Sequence, residues 1–424
     1  MTQQSPTDQP PARQAEPGEA SRGDTTQILV LADDFSGACE VSVPWMSAGF
    51  RTRIVLHDEH TDAEAPDRSR TALVRDTNSR YLEARSAHAV LSRCVAAVDP
   101  HTLIFKKIDS LWRGNVGAEL AALVQAGFRV ILAGALPHLE RTVVNGQALI
   151  AGEPLAATDA WKVEAATAPA RISDLLGGLE SVQLARPALS AQVNDFQQEL
   201  AAGLGTSSVL IIDCVDQPDL DTIAASWLRL RTEAPELAAR SILVGTGALN
   251  HALSQHLSNP GTVHNAPALT ENATALAVVG SASGRSGEQL RYAQDRGIPS
   301  AETAAELAGL GPGELQILTA SRLPAQPHEV LHRLRTETRS FLTANPTADL
   351  FLTGGETARA VLDDLAVATL EPREQLEAGV VICQTPDGRL VGTKPGTFGS
   401  TEILHHALSR LRTLRTLSSQ EPTQ

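Results

Sequence analysis

Two adjacent carboxylates, Asp33 and Asp34, close a short apolar run over residues 28–31. Ser36-Gly37-Ala38 follows, with so little side-chain bulk that another molecule could approach the backbone. A helix cap would use one of the two carboxylates and leave the other needing a role. Later apolar runs end in the same way: Asp76 and Arg80, then Lys107, Ile108, Asp109, Ser110 and Arg113, then His138 and Arg141. Each of these endings taken alone is an ordinary solvated loop. Together, on one sheet edge, they would form a pocket of mixed charge. Lys and Arg suit a substrate carboxylate, and Arg can bind it with two parallel N–H groups. Asp suits sugar hydroxyls, and one Asp could accept a hydroxyl proton. Asp34 and Asp109 are the candidates, and the choice between them is open at this stage.

A second set of residues points to phosphate. Gly280-Ser-Ala-Ser-Gly-Arg-Ser-Gly287, Thr353-Gly-Gly-Glu-Thr357 and Gly392-Thr-Lys-Pro-Gly-Thr-Phe-Gly-Ser400 each lie between an apolar run and a helical pattern. Such loops offer backbone N–H groups and the positive end of a helix dipole. Neither GxxxxGK[ST] nor a GxGxxG after a strand is present, so neither a P-loop nor a nicotinamide-dependent dehydrogenase is indicated. Lys394 could reach a phosphate or lie at the surface. A mixed acid–base pocket and phosphate-cradling loops together suggest phosphoryl transfer across a cleft, with Mg²⁺ on the phosphates. The metal ligands are not readable.

These groups must be carried by strands alternating with helices. Strands are expected over 28–31, 52–56, 71–74, 102–105, 130–132, 209–212 and 241–244, with helices over 38–48, 83–98, 116–125 and 219–230. In the second half, strands are expected over 275–279, 315–318, 349–352, 380–383 and 389–391. Helices there should end near 293, 342, 365 and 411. The pattern implies two α/β domains with mainly parallel, helix-covered sheets and an interdomain cleft. The domains would be 26–256 and 275–412, with a linker or hinge over 257–274 and tails at 1–25 and 413–424. Residues 143–207 give no clear pattern; Asp159 and Lys162 there face either the pocket or solvent.

Composition narrows the function. The 424 residues carry a formal net charge of −14, which argues against nucleic acid or an anionic membrane as the main partner. Aromatic residues make up only 3%, so the cores must rest on Ala, Leu and Val. The four cysteines (Cys39, Cys94, Cys214 and Cys383) are far apart, which suggests free thiols in a cytoplasmic protein. Neither a signal peptide nor an apolar run long enough for a membrane span is apparent.

With Ala32-Asp-Asp-Phe-Ser-Gly-Ala38, Asp76-Thr-Asn-Ser-Arg80, Lys107-Ile-Asp-Ser110, Arg113-Gly-Asn115 and Pro137 with Arg141-Thr142, the chain resembles the four-carbon acid sugar kinases. Gly280-Ser281 with Gln289, Thr353-Gly-Gly-Glu-Thr357, Lys394-Pro-Gly and Phe398-Gly399 extend the resemblance to nearly the whole chain. It implies a sugar-binding N-terminal domain, a nucleotide-binding C-terminal domain, and ATP-dependent phosphorylation of the terminal 4-hydroxyl of threonate, erythronate or a 3-oxo-tetronate. Asp33, Asp34, Arg80, Lys107 to Ser110 and Arg113 would then contact the acid. Ser281, Gly354, Gly355, Glu356, Thr357, Lys394, Gly396, Thr397 and Gly399 would contact ATP. A homodimer is a further expectation, and a non-catalytic sugar-acid sensor on the same scaffold is the alternative. Leu111-Trp112 replaces the Thr-Leu usual in the family, and Glu140 replaces a usual Gly; both lie on the sugar side. Ser286, Glu356 and Thr397 are milder departures on the nucleotide side.

Overall fold

The computed structural model describes residues 26–57, 70–161, 167–186, 193–259, 274–281, 283–308, 315–320 and 326–418. Lys162, the 1–25 tail and most of the expected 257–274 linker lie outside them.

The first half runs β1 (Gln27–Ala32), α1 (Phe35–Ser47), β2 (Arg51–Val55), β3 (Thr71–Asp76), α2 (Ala84–Val95), β4 (Leu103–Lys107), α3 (Val116–Gln125) and β5 (Arg129–Ala133). A small antiparallel sheet follows, β6 (Arg141–Val144), β7 (Gln147–Ile150) and β8 (Glu153–Pro154). Then come β9 (Ser181–Leu184), α4 (Val193–Thr206), β10 (Val209–Ile212), α5 (Gln217–Glu233), α6 (Pro235–Ala239), β11 (Ser241–Gly245) and α7 (Gly247–His256). The second half runs β12 (Ala275–Val279), α8 (Gly284–Asp295), β13 (Ser300–Ala301), α9 (Ala304–Leu307), β14 (Leu315–Thr319), α10 (Pro327–Ala344), β15 (Asp349–Thr353) and α11 (Gly355–Asp364). It ends with β16 (Thr369–Glu377), β17 (Val380–Gln384), β18 (Leu390–Lys394) and α12 (Ile403–Ser418).

The central strands β1, β4, β10, β11, β12 and β15 are buried and mainly apolar, with polar residues chiefly at their ends, as expected of parallel strands covered by helices on both faces. The strand order is β13-β14-β12-β15-β18-β17-β16-β2-β3-β1-β4-β11-β5-β10-β9, one continuous sheet. The halves join where Thr369 and Leu370 of β16 pair antiparallel with Val55 and Ile54 of β2. β16 lies outside the strands expected from the sequence. Pro is tolerated there because the pairing with β17 slips between Pro372 and Glu374.

Register brings the polar strand ends together. Ala32, Asp76, Lys107, Gly245 and Ala133 stand in one row across β3, β1, β4, β11 and β5. Thr319, Val279, Thr353 and Lys394 form the matching row in the second half. β1 lies between β3 and β4, and β12 between β14 and β15, so each half has a switch point where open α/β sheets bind ligands. The last helix continues past the expected tail boundary at 413. Arg415, buried, donates to both oxygens of Asp349 on β15 at 2.8 and 2.5 Å. Among the described residues no helix is long and apolar enough to cross a membrane.

Candidate active site

Asp34 does cap α1. Its backbone is extended (φ −144°, ψ 161°) and its Oδ1 accepts from the Gly37 N–H at 2.9 Å. Asp33 turns inward and is buried. Arg80 ties the two together: Nε and Nη2 donate to Asp33 at 2.7 and 3.0 Å, while Nη1 and Nη2 donate to Asp34 at 2.8 and 2.9 Å. Burial works against the Asp33 charge. Arg80, Lys106 and Lys107 outweigh it and hold that carboxyl below its usual range. Arg80 lines the cleft, yet its donors go to these carboxylates, so it holds the wall rather than offering a free fork.

The two lysines of β4 point to opposite faces, as successive strand residues must. Lys106 is fully buried and meets Glu119 at 3.0 Å. Lys107 reaches the cleft with its ammonium 3.6 Å from Glu40 on α1. Burial opposes its charge, but Glu40, Asp33 and Asp34 together raise its pKa. Asp109 accepts from Arg113 Nε and Nη2 at 2.7 and 2.9 Å and from the Leu111 N–H at 3.1 Å. Burial again opposes ionisation and the Arg113, Arg80 and Lys107 charges overcome it, leaving the Asp109 carboxyl well below its usual range. A carboxylate so stabilised is a poor proton acceptor. The turn between them is unusual: Trp112 is buried at φ +62°, packed against Gly134, where a side chain would overlap its ring. Trp161 Nε1 holds the Leu111 carbonyl at 2.7 Å. Glu140, where the family usually has Gly, also sits at positive φ (+53°).

On the nucleotide side, Gly354 takes φ +91° between β15 and α11, a conformation natural to glycine. The Gly396 loop is braced from beneath. Ser283 and Ser286 donate to the Gly396 carbonyl at 2.8 and 2.9 Å, and Lys394 donates to the Pro395 and Gly396 carbonyls at 3.1 Å each. Gln289 donates to the carbonyls of Phe398, Gly399 and Ser400. Burial, with Arg285 nearby, lowers Lys394 to about 8.

One cleft of about 610 Å³ joins both sides. It brings together Asp34, Arg80, Lys107, Asp109, Ser110 and Arg113 with Ser281, Gly354, Gly355, Glu356, Thr357, Gly396 and Thr397. Asp33, Ile108, Lys394 and Gly399 do not line it. They stand behind the wall: Ile108 is buried, its N–H bonded to the Gly245 carbonyl, and Lys394 supports the loop from below. The approach of the two sides is close, since a methyl group on Gly355 would lie 3.5 Å from Asp34 Oδ2.

Other lining residues were absent from the sequence-based site. Arg141 was read as a strand-end cation and as part of the family resemblance but given no site role; it donates to Ser110 Oγ and lines the cleft. Glu40 lies three and four residues beyond Gly37 and Ser36, the spacing of one helix face, which could have revealed it. Arg359 lies one turn into α11, where nothing local marks it as a site residue.

Known proteins match this arrangement at both ends. A sugar-binding N-terminal domain model matches residues 28–253 and a nucleotide-binding C-terminal domain model matches 312–404. A D-threonate kinase from Cupriavidus necator is 30% identical, covering 89% of this chain and 96% of its own. The chain belongs to the four-carbon acid sugar kinase family. It is therefore an ATP-using phosphotransferase with an alcohol group as acceptor. A D-threonate kinase from Salmonella typhimurium (25% identical; 90% and 97% coverage) and a 3-oxo-tetronate kinase from Methylobacterium radiotolerans (24%; 90% and 98%) are also similar. A solved Haemophilus influenzae structure shares the fold, with a TM-score of 0.70 at 18% identity over 90% of this chain and all of its own.

Proposed function

We propose that this kinase transfers the γ-phosphoryl group of ATP to the terminal 4-hydroxyl of D-threonate. The observation that carries the reading is the single cleft, in which a carboxylate and free cations face a glycine-rich helix start across a few ångströms. The naming of two similar proteins as D-threonate kinases supports the substrate. Arg141 is the cation for the substrate carboxylate, because the Arg80 and Arg113 forks are already engaged with Asp33, Asp34 and Asp109. Asp34 accepts the hydroxyl proton, since its Oδ2 faces the Gly355 start of α11 across the cleft. The N-terminus of α11, Ser281 and the Gly396 loop take the phosphates through backbone N–H groups. Lys107, which among the described residues has only Glu40 within ion-pair range, offsets charge on the transferring group.

Mg²⁺ fits this site in the way usual for phosphates, with most ligands from nucleotide and water and one or two carboxylates from protein. Among the described residues no cluster of three or more His, Cys, Asp or Glu could hold a metal alone. Glu356, exposed in the first turn of α11, is the carboxylate available to it. When bound, the ion would neutralise developing phosphate charge.

The test is ATP-dependent turnover over D- and L-threonate, D- and L-erythronate and their 3-oxo forms, with the phosphorylated position read by phosphorus NMR. D-threonate should give the highest kcat/KM, with phosphate on C4. A tenfold preference for another acid, or phosphate on C2 or C3, sinks the assignment.

A further inference from the structure

Transfer across a cleft requires that the two halves of the chain hold donor and acceptor in register. The Gly355 end of α11 approaches Asp34. What fixes it there is a chain of hydrogen bonds beginning one turn along the helix. Arg359, buried on α11, donates through Nη1 to Asp76 Oδ2 at 2.7 Å and through Nη2 to the Leu56 carbonyl at 2.8 Å. Its Nε donates to Asp363 on the same helix at 2.8 Å. Asp76 ends β3, and its Oδ1 accepts from the Asn78 N–H at 2.9 Å. The next two N–H groups, of Ser79 and Arg80, donate to the Asp33 carbonyl at 3.0 and 3.2 Å. The Arg80 guanidinium then grips both acceptor-side carboxylates. An unbroken path therefore runs from the helix that receives ATP, through Arg359 and Asp76, to the clamp on Asp34.

We infer that Arg359 is a positioning residue that registers the phosphoryl-donor helix against the acceptor carboxylate. The inference rests on the kinase reading above. In the registered complex the bond between Pγ and the β–γ bridging oxygen breaks as Pγ bonds the substrate's terminal oxygen. ADP leaves with the electron pair, and the hydroxyl proton passes to Asp34. If the helix shifts, ATP still binds but the acceptor oxygen is displaced. Water then takes its place, giving ADP, inorganic phosphate and a proton. Misplacement by about an ångström is enough to cost about a hundredfold in rate.

The experiment compares wild type with Arg359→Met, Arg359→Lys and Asp76→Asn. It measures kcat, KM for each substrate, ADP affinity by calorimetry, folded fraction, and ADP released per phosphorylated acid. Arg359→Met should lower kcat about a hundredfold per folded molecule, with ADP affinity within about threefold and ADP released in clear excess over product. Asp76→Asn should do the same, and Arg359→Lys should recover part of both. A merely structural Arg359 would lower the folded fraction and keep release one-to-one. One-to-one release with kcat per folded molecule within about threefold of wild type in any soluble Met or Asn variant overturns the inference. Should Arg359→Met fail to fold, Asp76→Asn and Arg359→Lys decide by the same ratio. Wild type that phosphorylates no sugar acid would instead overturn the kinase reading beneath it.

Discussion

Asp34→Asn separates positioning from folding most directly. In the native site Asp34 Oδ1 accepts from the Gly37 N–H and Arg80 Nη2, and Oδ2 accepts from Arg80 Nη1 at 2.8 Å. An Asn that keeps its oxygen in the Oδ1 position preserves the helix cap, but it turns an NH₂ group toward another N–H donor. One charge-assisted hydrogen bond is lost, about 1.5–3 kcal/mol, partly recovered because the Asp34 side chain is about a fifth exposed and Arg80 retains Asp33. The protein should stay folded. The acceptor hydroxyl, however, loses both its proton acceptor and its anchor. General-base assistance is worth roughly 10²–10⁴ in rate, or about 3–5 kcal/mol of barrier. We expect kcat to fall by that factor while ADP binding changes less than about threefold. Coupled ADP release, calorimetry with ADP and thermal melting measure the three quantities. A kcat within about threefold of native in a folded, ADP-binding variant would refute the role. Collapse of ADP binding along with turnover would move Asp34 to the nucleotide site.

Arg141→Met should raise KM for the sugar acid by about tenfold or more while leaving KM for ATP unchanged, because no other cleft guanidinium is uncommitted; an unchanged acid KM would return the carboxylate to Arg113. Arg415→Met leaves the buried Asp349 without its ion-pair partner and should cost about 3–5 kcal/mol in chemical denaturation, with kinetics per folded molecule intact; a loss under about 1 kcal/mol would show that α12 is not held by this pair. Burial pushes Asp76 up to about 6 from 3.8 against the pull of Arg359 and the Asn78 N–H. The folded state thus holds this proton more tightly than the unfolded chain between those pH values, so its stabilising contribution is full below about 4 and is lost as pH rises through 6. The difference is about 3 kcal/mol. Comparing denaturation of wild type and Asp76→Asn from pH 4 to 7 isolates it, and a pH-independent gap would refute it.

How much of this was legible in sequence follows from what each signal depends on. Apolar runs ending in charge marked β1, β3 and β4, and the parallel pairing that puts Ala32, Asp76 and Lys107 in one row made their loops converge. Glycine loops ahead of helical patterns marked α8 and α11 in the same way. These are local patterns read through one topological rule. The division of labour among like residues was not local. Arg80 and Arg141 carry the same group, yet one meets two carboxylates and the other meets a serine, which only the folded neighbourhood decides. Lys394, by spacing, could reach a phosphate or lie at the surface. It is instead buried, and its ammonium donates to the Pro395 and Gly396 carbonyls. β16 and Arg359 were hidden for a shared reason: each joins the halves, and a join is specified by two segments far apart in the chain. Thr369 and Leu370 find Val55 and Ile54, and Arg359 finds Asp76, across roughly three hundred residues. A cleft enzyme built from two patterned halves therefore shows its walls in its sequence and conceals the contacts that join them. Those contacts fix the donor–acceptor distance, and through it the ratio of transfer to hydrolysis.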